Sequence, residues 1–206
     1  NEKENPEVID YLERENDYYQ KMTAHTQDFQ KDLFEEMKSR IKEDDASLPY
    51  KLNGYFYITR FEKGKDYPIY TRKKDSLEAP EEILFDVNEM AKGHSYYNLR
   101  GISVSPDNTM VSFGVDTLSR RKYTIYIKNL VTGKLMQEVI PLTTGGATWA
   151  NDNKTLFYSK KDEQTLRSNK IFKHTLGQNS ADDVNVFTEQ DETFNTFVYK
   201  TKSKKY

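Results

Sequence analysis

"SPDNTMVSFGVD" (residues 105–116) and "ANDNKTLFYSKKD" (residues 150–162) spell nearly the same phrase twice. Each carries an Asp-Asn pair, small polar residues, an apolar and aromatic run, and a closing Asp. Asp107 and Asp152 stand 45 positions apart, and Asp116 and Asp162 stand 46 apart, so one inserted residue keeps the copies in step. Self-similarity at a fixed period is the sequence signature of repeat architectures.

The copies extend outward on both sides. "YTIYIKNL" (123–130) follows the first phrase and "KIFKHTL" (170–176) the second, with Tyr126 and Phe172 in register; "EVI" (138–140) and "VNVF" (184–187) keep the same offset. Upstream, "GYFYITRF" (54–61), "DYPIYTRK" (66–73) and "EILFDV" (82–87) make a third copy, separated from the next by an insertion at 88–100. After Asp191, "FNTFVYKTKSKKY" begins a fourth and stops at its first hairpin. These runs, with "GISVS" (101–105), are rich in aromatic and β-branched residues, and the links "EKGK", "SPDN", "VTGK" and "ANDN" supply turn residues between them. Four short strands per repeat of about 40 to 50 residues describe propeller blades, and closing a ring takes roughly 4 to 8 of them. The expectation is a mainly β chain: a partial β-propeller of about three blades and the start of a fourth, belonging to something longer.

A different grammar precedes it. Between Pro6 and Asp45 there is no Gly and no further Pro. Val8, Ile9, Tyr11, Leu12, Tyr18, Tyr19 and Met22 recur at helical spacing, as do Phe29, Leu33, Phe34, Met37 and Ile41. Pro6 behind Asn5 suits a helix start. Two amphipathic helices, broken near Thr23 to Thr26, are predicted as an N-terminal α-helical extension over 1–46, with the propeller over 47–206. Their stripes call for burial against a partner surface, worth roughly 25 cal/mol per Å².

Composition excludes several classes. With 31 basic against 33 acidic residues there is no electrostatic footprint for nucleic acid or a membrane surface. With no cysteine there is no disulfide, thiolate zinc site or Cys nucleophile. No apolar run approaches the roughly 20 residues that cross a bilayer. The expected compartment is cytoplasmic, with periplasmic as the alternative.

Candidate chemistry is sparse. "GISVS" approaches a nucleophile elbow but lacks the second Gly, and Pro106 forbids the helix an elbow needs, so it reads as a strand running into a turn. His25, His94 and His174 show no spacing that gives a general base a partner or a metal its ligands. "KEDD" (42–45) reads as solvated charge, "TTGGAT" (143–148) as a connection between blades without the G-K-[ST] of a phosphate loop, and "KTKSKKY" as cut strand sequence. The Tyr- and Asn-rich insertion 88–100 would be the contact loop if the protein were a non-catalytic scaffold. No catalytic, cofactor-binding or metal-ligating residue is assigned.

"VIDYLERENDYYQ", "LFEEMKSRIKEDDASLPY", "NGYFYITRFEKGKDYPIYTRK", "SPDNTMVSFGVDT" and "ATWANDNKTLFYSKKDEQTLRSNKIFKHTLG" together resemble the N-terminal half of the prolyl oligopeptidase family of serine peptidases, on its oligopeptidase B branch, from about residue 6 to 206. The resemblance implies a helical extension, a seven-bladed propeller and a C-terminal α/β-hydrolase domain that packs against the extension and carries the catalytic Ser, Asp and His. That domain is absent from these residues. It implies further that the parent hydrolyses short peptides after Arg or Lys, that the propeller limits substrate size, and that this stretch alone is inactive. The expected partners are therefore peptide substrates and the intramolecular hydrolase domain. An open ring also exposes a strand edge, which favours self-association.

Overall fold

The structure, a computed structural model, describes residues 3–205 of the 206-residue chain. The chain divides into two compact units, Asn1–Asp45 and Ala46–Tyr206.

The first unit is helical. Helix α1 (Pro6–Thr23) starts where Asn5, in extended conformation, accepts the Glu7 backbone N–H on its side chain at 3.0 Å, with Pro6 at the first turn where a missing N–H costs nothing. It ends in a tighter turn, Ala24–Thr26, and α2 (Gln27–Ser39) follows. The break falls at the predicted place. The Thr23 and Thr26 hydroxyls donate to the Tyr19 and Thr23 carbonyls at 2.8 and 2.7 Å, a back-bonding that bends helices. Neither helix buries a residue: Tyr18, Tyr19, Met22, Phe29, Phe34, Met37 and Ile41 are all exposed.

The second unit is built from antiparallel strands. Strands β1 (Tyr50–Leu52), β2 (Tyr55–Arg60), β3 (Ile69–Lys74) and β4 (Glu81–Asp86) make a four-stranded meander, blade 1. A short helix, α3 (Val87–Met90), leads to a seven-stranded sheet of β5 (Asn98–Val104), β6 (Met110–Asp116), β7 (Tyr123–Asn129), β8 (Leu135–Trp149), β9 (Thr155–Lys161), β10 (Ser168–Thr175) and β11 (Val184–Thr188). Strand β8, 15 residues long, belongs to two blades. Its first half, through Thr143, pairs with β7 and closes blade 2; its second half, Thr143 to Trp149, pairs with β9 and opens blade 3.

The "TTGGAT" connection is thus continuous strand with a register shift between Thr143 and Ala147 rather than a loop. Backbone closeness explains its glycines. A Cβ on Gly101 would lie 2.2 Å from the Gly145 carbonyl oxygen, and one on Gly114 would lie 2.3 Å from the Gly145 Cα; Gly101 and Gly145 also hold φ of 66° and 91°.

Packing follows the blade stack. Tyr57, Leu84, Phe85, Val87, Tyr97, Leu99, Val111 and Phe113 form one buried cluster across blades 1 and 2. Ile125, Ile140 and Tyr158 form a second and Ile127, Trp149 and Leu156 a third, joining blades 2 and 3. Four consecutive residues of β6, Val111 to Gly114, are buried because blades cover both its faces, whereas β7 alternates.

Two expectations need correction. Residues 194–205, within the predicted opening of a fourth blade, form no strand; a strand requires a ladder, and here single bonds hold the segment instead, from Thr196 N–H to the Ser168 carbonyl (2.6 Å) and from the Thr148 hydroxyl to the Val198 carbonyl (3.1 Å). The closing Tyr206 of that stretch lies outside the described residues. The insertion 88–100 is not a free contact loop. Ala91, Tyr97 and Leu99 are buried in the first cluster, because α3 folds the insertion back onto blade 1.

Candidate functional site

The repeated Asp-Asn phrase forms the turn between the first and second strand of blades 2 and 3. Asp107 accepts the Thr109 N–H and hydroxyl (3.1 and 2.9 Å) and the Ser105 hydroxyl (2.6 Å). Asp152 accepts the Lys154 and Thr155 N–H groups (both 2.9 Å) and the Thr155 hydroxyl (2.7 Å). These are Asx turns, and the following Asn takes the left-handed conformation that Asn tolerates: φ is 63° at Asn108 and 58° at Asn153. Blade 1 has Asn53 at φ 47° in the same place. The turns also touch each other. Asp107 N–H donates to Asn153 Oδ1 at 3.0 Å, Asn108 Nδ2 donates to the Asn53 carbonyl at 3.1 Å, and Trp149 Nε1 donates to the Ser103 carbonyl at 2.8 Å. The repeated motif is therefore a blade-to-blade fastening.

Electrostatics agree with that role. Burial would raise the Asp107 carboxyl, but the Ser105 hydroxyl and the Thr109 N–H and hydroxyl outweigh it and hold the group below the usual aspartate range. The Lys154 N–H and the Thr155 hydroxyl and N–H lower Asp152 in the same way.

The structure separates the other candidates. Ser105 of "GISVS" is wholly buried and bonded to Asp107 and to the Met110 N–H, so its hydroxyl is no nucleophile. His25 is exposed in the turn after α1. His94 stacks obliquely on Tyr97, ring centres 5.4 Å apart, at the rim of a cavity of 690 Å³ that Phe85, Phe113 and Lys128 also line. In "KEDD", Lys42 pairs with Asp45 at 3.1 Å and Glu43 with Lys38 at 3.8 Å. Lys200 and Lys204 of the terminal stretch donate to Asn151 and Asn53 at 2.5 and 2.8 Å. Among the described residues no group of three His, Asp or Glu is placed to hold a metal ion.

Two clusters escaped the sequence. His174 is fully buried, its Nδ1 2.7 Å from Asp183 Oδ1, while the Tyr158 hydroxyl donates to Asp183 Oδ2 at 2.8 Å. Burial and the Asp183 carboxylate push the Tyr158 hydroxyl far above the usual tyrosine range. A His-Asp pair suggests catalysis, but its third member is a phenol held protonated, so the network is a polar weld within blade 3. The second sets Lys161 against the backbone of a neighbouring turn where blade 2 meets blade 3, its Nζ donating to the Arg121 carbonyl at 2.7 Å, while Arg100 lies over the Tyr123 ring at 5.3 Å. Its signals were the runs "RRK" (120–122) and "KK" (160–161), each of which reads locally as the polar end of a strand.

Comparison with known proteins fits this architecture. The profile of the family described as "Prolyl oligopeptidase, N-terminal beta-propeller domain" matches residues 1–206. The chain belongs to the prolyl oligopeptidase family. Dipeptidyl aminopeptidase BI of Pseudoxanthomonas mexicana is 36% identical over 99% of this chain and 30% of its own length. Protease 2 of Moraxella lacunata is 32% identical over 100% of this chain and 31% of its own. Oligopeptidase B from Leishmania major superposes with a TM-score of 0.87 at 35% identity, over 95% of this chain and 28% of that one. The prolyl oligopeptidase propeller domain thus accounts for the blades, and this chain spans under a third of the length of these relatives.

Proposed function

We propose that this chain is the helical extension and first blades of a longer serine oligopeptidase that hydrolyses short peptides after Arg or Lys, the propeller restricting access to small or unfolded substrates. The observation that carries the reading is the likeness to oligopeptidase B over nearly the whole chain, at an identity well above that of a shared fold alone. The chain by itself is inactive in this reading: Ser105 is buried and bonded into a turn, and the buried His174 faces a carboxylate and a phenol rather than a hydroxyl nucleophile.

The test uses the parent protein and peptides carrying one internal Arg or Lys, with free and with blocked N-termini. Cleavage after the basic residue in both forms is expected. Cleavage only two residues from a free N-terminus would replace oligopeptidase by dipeptide release, the activity in the name of the Pseudoxanthomonas relative. No cleavage of any such peptide would sink the specificity. The isolated chain, assayed alongside, is expected to show no turnover. It is also expected to sediment as oligomers at high concentration, since Val184, Val186 and Phe187 on the terminal strand β11 are exposed.

A further inference from the structure

A cavity of 360 Å³ opens where the turn after β10 meets the first half of β8, and its size falls in the range of small-ligand sites, roughly 300–1,000 Å³. Gln137 and Glu138 line it from blade 2; Gln178, Asn179 and Ser180 line it from blade 3. Two bonds hold the walls together. Gly177 N–H donates to Glu138 Oε1 at 2.7 Å, and the Ser180 hydroxyl donates to the Val139 carbonyl at 2.7 Å. Strand alternation turns Glu138 inward, since it shares a face of β8 with the buried Ile140, and the side chain ends up only 7% exposed.

No cation of the chain follows it there. Glu138 Oε2 is buried without a hydrogen-bond partner, and Glu138 forms no ion pair among the described residues. Among the described residues the cavity is lined by no Lys, Arg or His, so its walls are amides, a hydroxyl and one carboxylate. Asn179 Oδ1 already accepts the Ala181 N–H at 2.9 Å, which leaves the Gln137 and Gln178 carboxamides as further acceptors. A buried charged oxygen left unpaired is costly, and a cation that brings its own donors removes the cost.

We infer that the cavity at Glu138 binds a primary ammonium group, of the kind carried by a lysine side chain or a peptide N-terminus. The walls select among cations. A hard divalent ion takes about six to eight oxygens, several of them charged, whereas this site offers one carboxylate, and no group of three His, Asp or Glu among the described residues is placed to hold a metal. A guanidinium pairs best with both oxygens of a carboxylate, and Gly177 occupies one of them. An ammonium has three donors, which Glu138 Oε2 and the carboxamide oxygens of Gln137 and Gln178 match in number. The inference stands apart from the peptidase reading and needs no hydrolysis.

The experiment follows the Gly177 backbone amide of the 206-residue chain by NMR while three probes are titrated. Nα-acetyl-lysine methylamide carries its ammonium on the side chain, alanine methylamide carries it at the N-terminus, and Nα,Nε-diacetyl-lysine methylamide carries none. A saturable shift is expected with at least one ammonium probe, at an affinity about tenfold or more above that of the neutral one. A response to the lysine probe alone assigns the side chain, and to the alanine probe alone the N-terminus. Glu138→Gln is expected to cut the preference to less than about twofold; the new amide still offers Gly177 an acceptor, and circular dichroism checks the fold. If that variant does not fold, Gln178→Leu on the exposed turn takes its place, with a loss of about threefold expected and no loss counting against the site. Equal affinity for charged and neutral probes, or a preference untouched by Glu138→Gln, overturns the inference. So does calcium chloride saturating the same shift at lower concentration than either amine, which would make this a metal site.

Discussion

Asp116 shows how much one side chain organises. It is 1% exposed, and its carboxylate collects three backbone N–H groups from a turn that puts Ser119 and Arg121 at positive φ, 56° each. Non-glycine residues hold that conformation at a cost of order 1 kcal/mol each, which the charge-assisted bonds offset. Asp116→Ala is therefore expected to cost about 2–4 kcal/mol in urea unfolding, the larger part from orphaned donors; a loss under about 0.5 kcal/mol, the scale of ordinary surface changes, would refute the account. The fastening aspartates predict a pH dependence. Asp107 and Asp152 have folded pKa values below their unfolded ones, so their stabilisation is complete above the unfolded aspartate range, near pH 4, and is lost as pH falls through the folded values. Unfolding titrated from pH 6 downward is expected to lose stability more gently in an Asp107→Asn/Asp152→Asn variant than in the parent sequence. Equal slopes would mean that these turns do not carry the acid sensitivity.

At the scale of the element, β8 decides how blades join. Passing from the β7 ladder to the β9 ladder requires its backbone to lie against β5 and β6 with no side chain between them, which Gly101, Gly114 and Gly145 permit. Gly101→Ala is predicted to lose soluble folded protein, because the added methyl meets a carbonyl oxygen at 2.2 Å in a strained φ. Its neighbour across the contact gives the control. Around Gly146 the nearest atom to a new Cβ is 3.8 Å away, so Gly146→Ala is expected to shift stability by less than about 1 kcal/mol. In β9, Tyr158→Phe removes the donor to Asp183 and leaves a buried carboxylate oxygen unpaired, for an expected loss of about 1–3 kcal/mol by chemical denaturation.

For the whole molecule, every buried hydrophobic side chain among the described residues lies between Tyr57 and Ile171, and α1 and α2 bury none. A chain beginning at Ala46 is accordingly predicted to keep its strand signal in circular dichroism while losing the helical one, its urea midpoint moving by the equivalent of less than about 1 kcal/mol. Collapse of the strand signal would show that the helical unit is needed for the blades to fold. The exposed stripe from Val8 to Ile41 is a large apolar surface for so short a segment, of the kind that marks an interaction site.

The sequence by itself determined the repeat, the strands Met110–Asp116 and Thr155–Lys161 to the residue, the helix break and the family. These are local properties: alternation, turn chemistry and spacing act over a few residues and are written where they act. The shared strand was not legible. "EVI" and "TTGGAT" read as a strand followed by a link, because nothing within them says that the ladder continues onto a new partner. Only the tertiary structure decided which polar groups are buried and what they meet. His174 and Asp183 are nine positions apart and meet through the turn that follows β10, whereas Lys161 and Arg121 are forty apart and meet because the ladder sets β9 beside β8 and β8 beside β7.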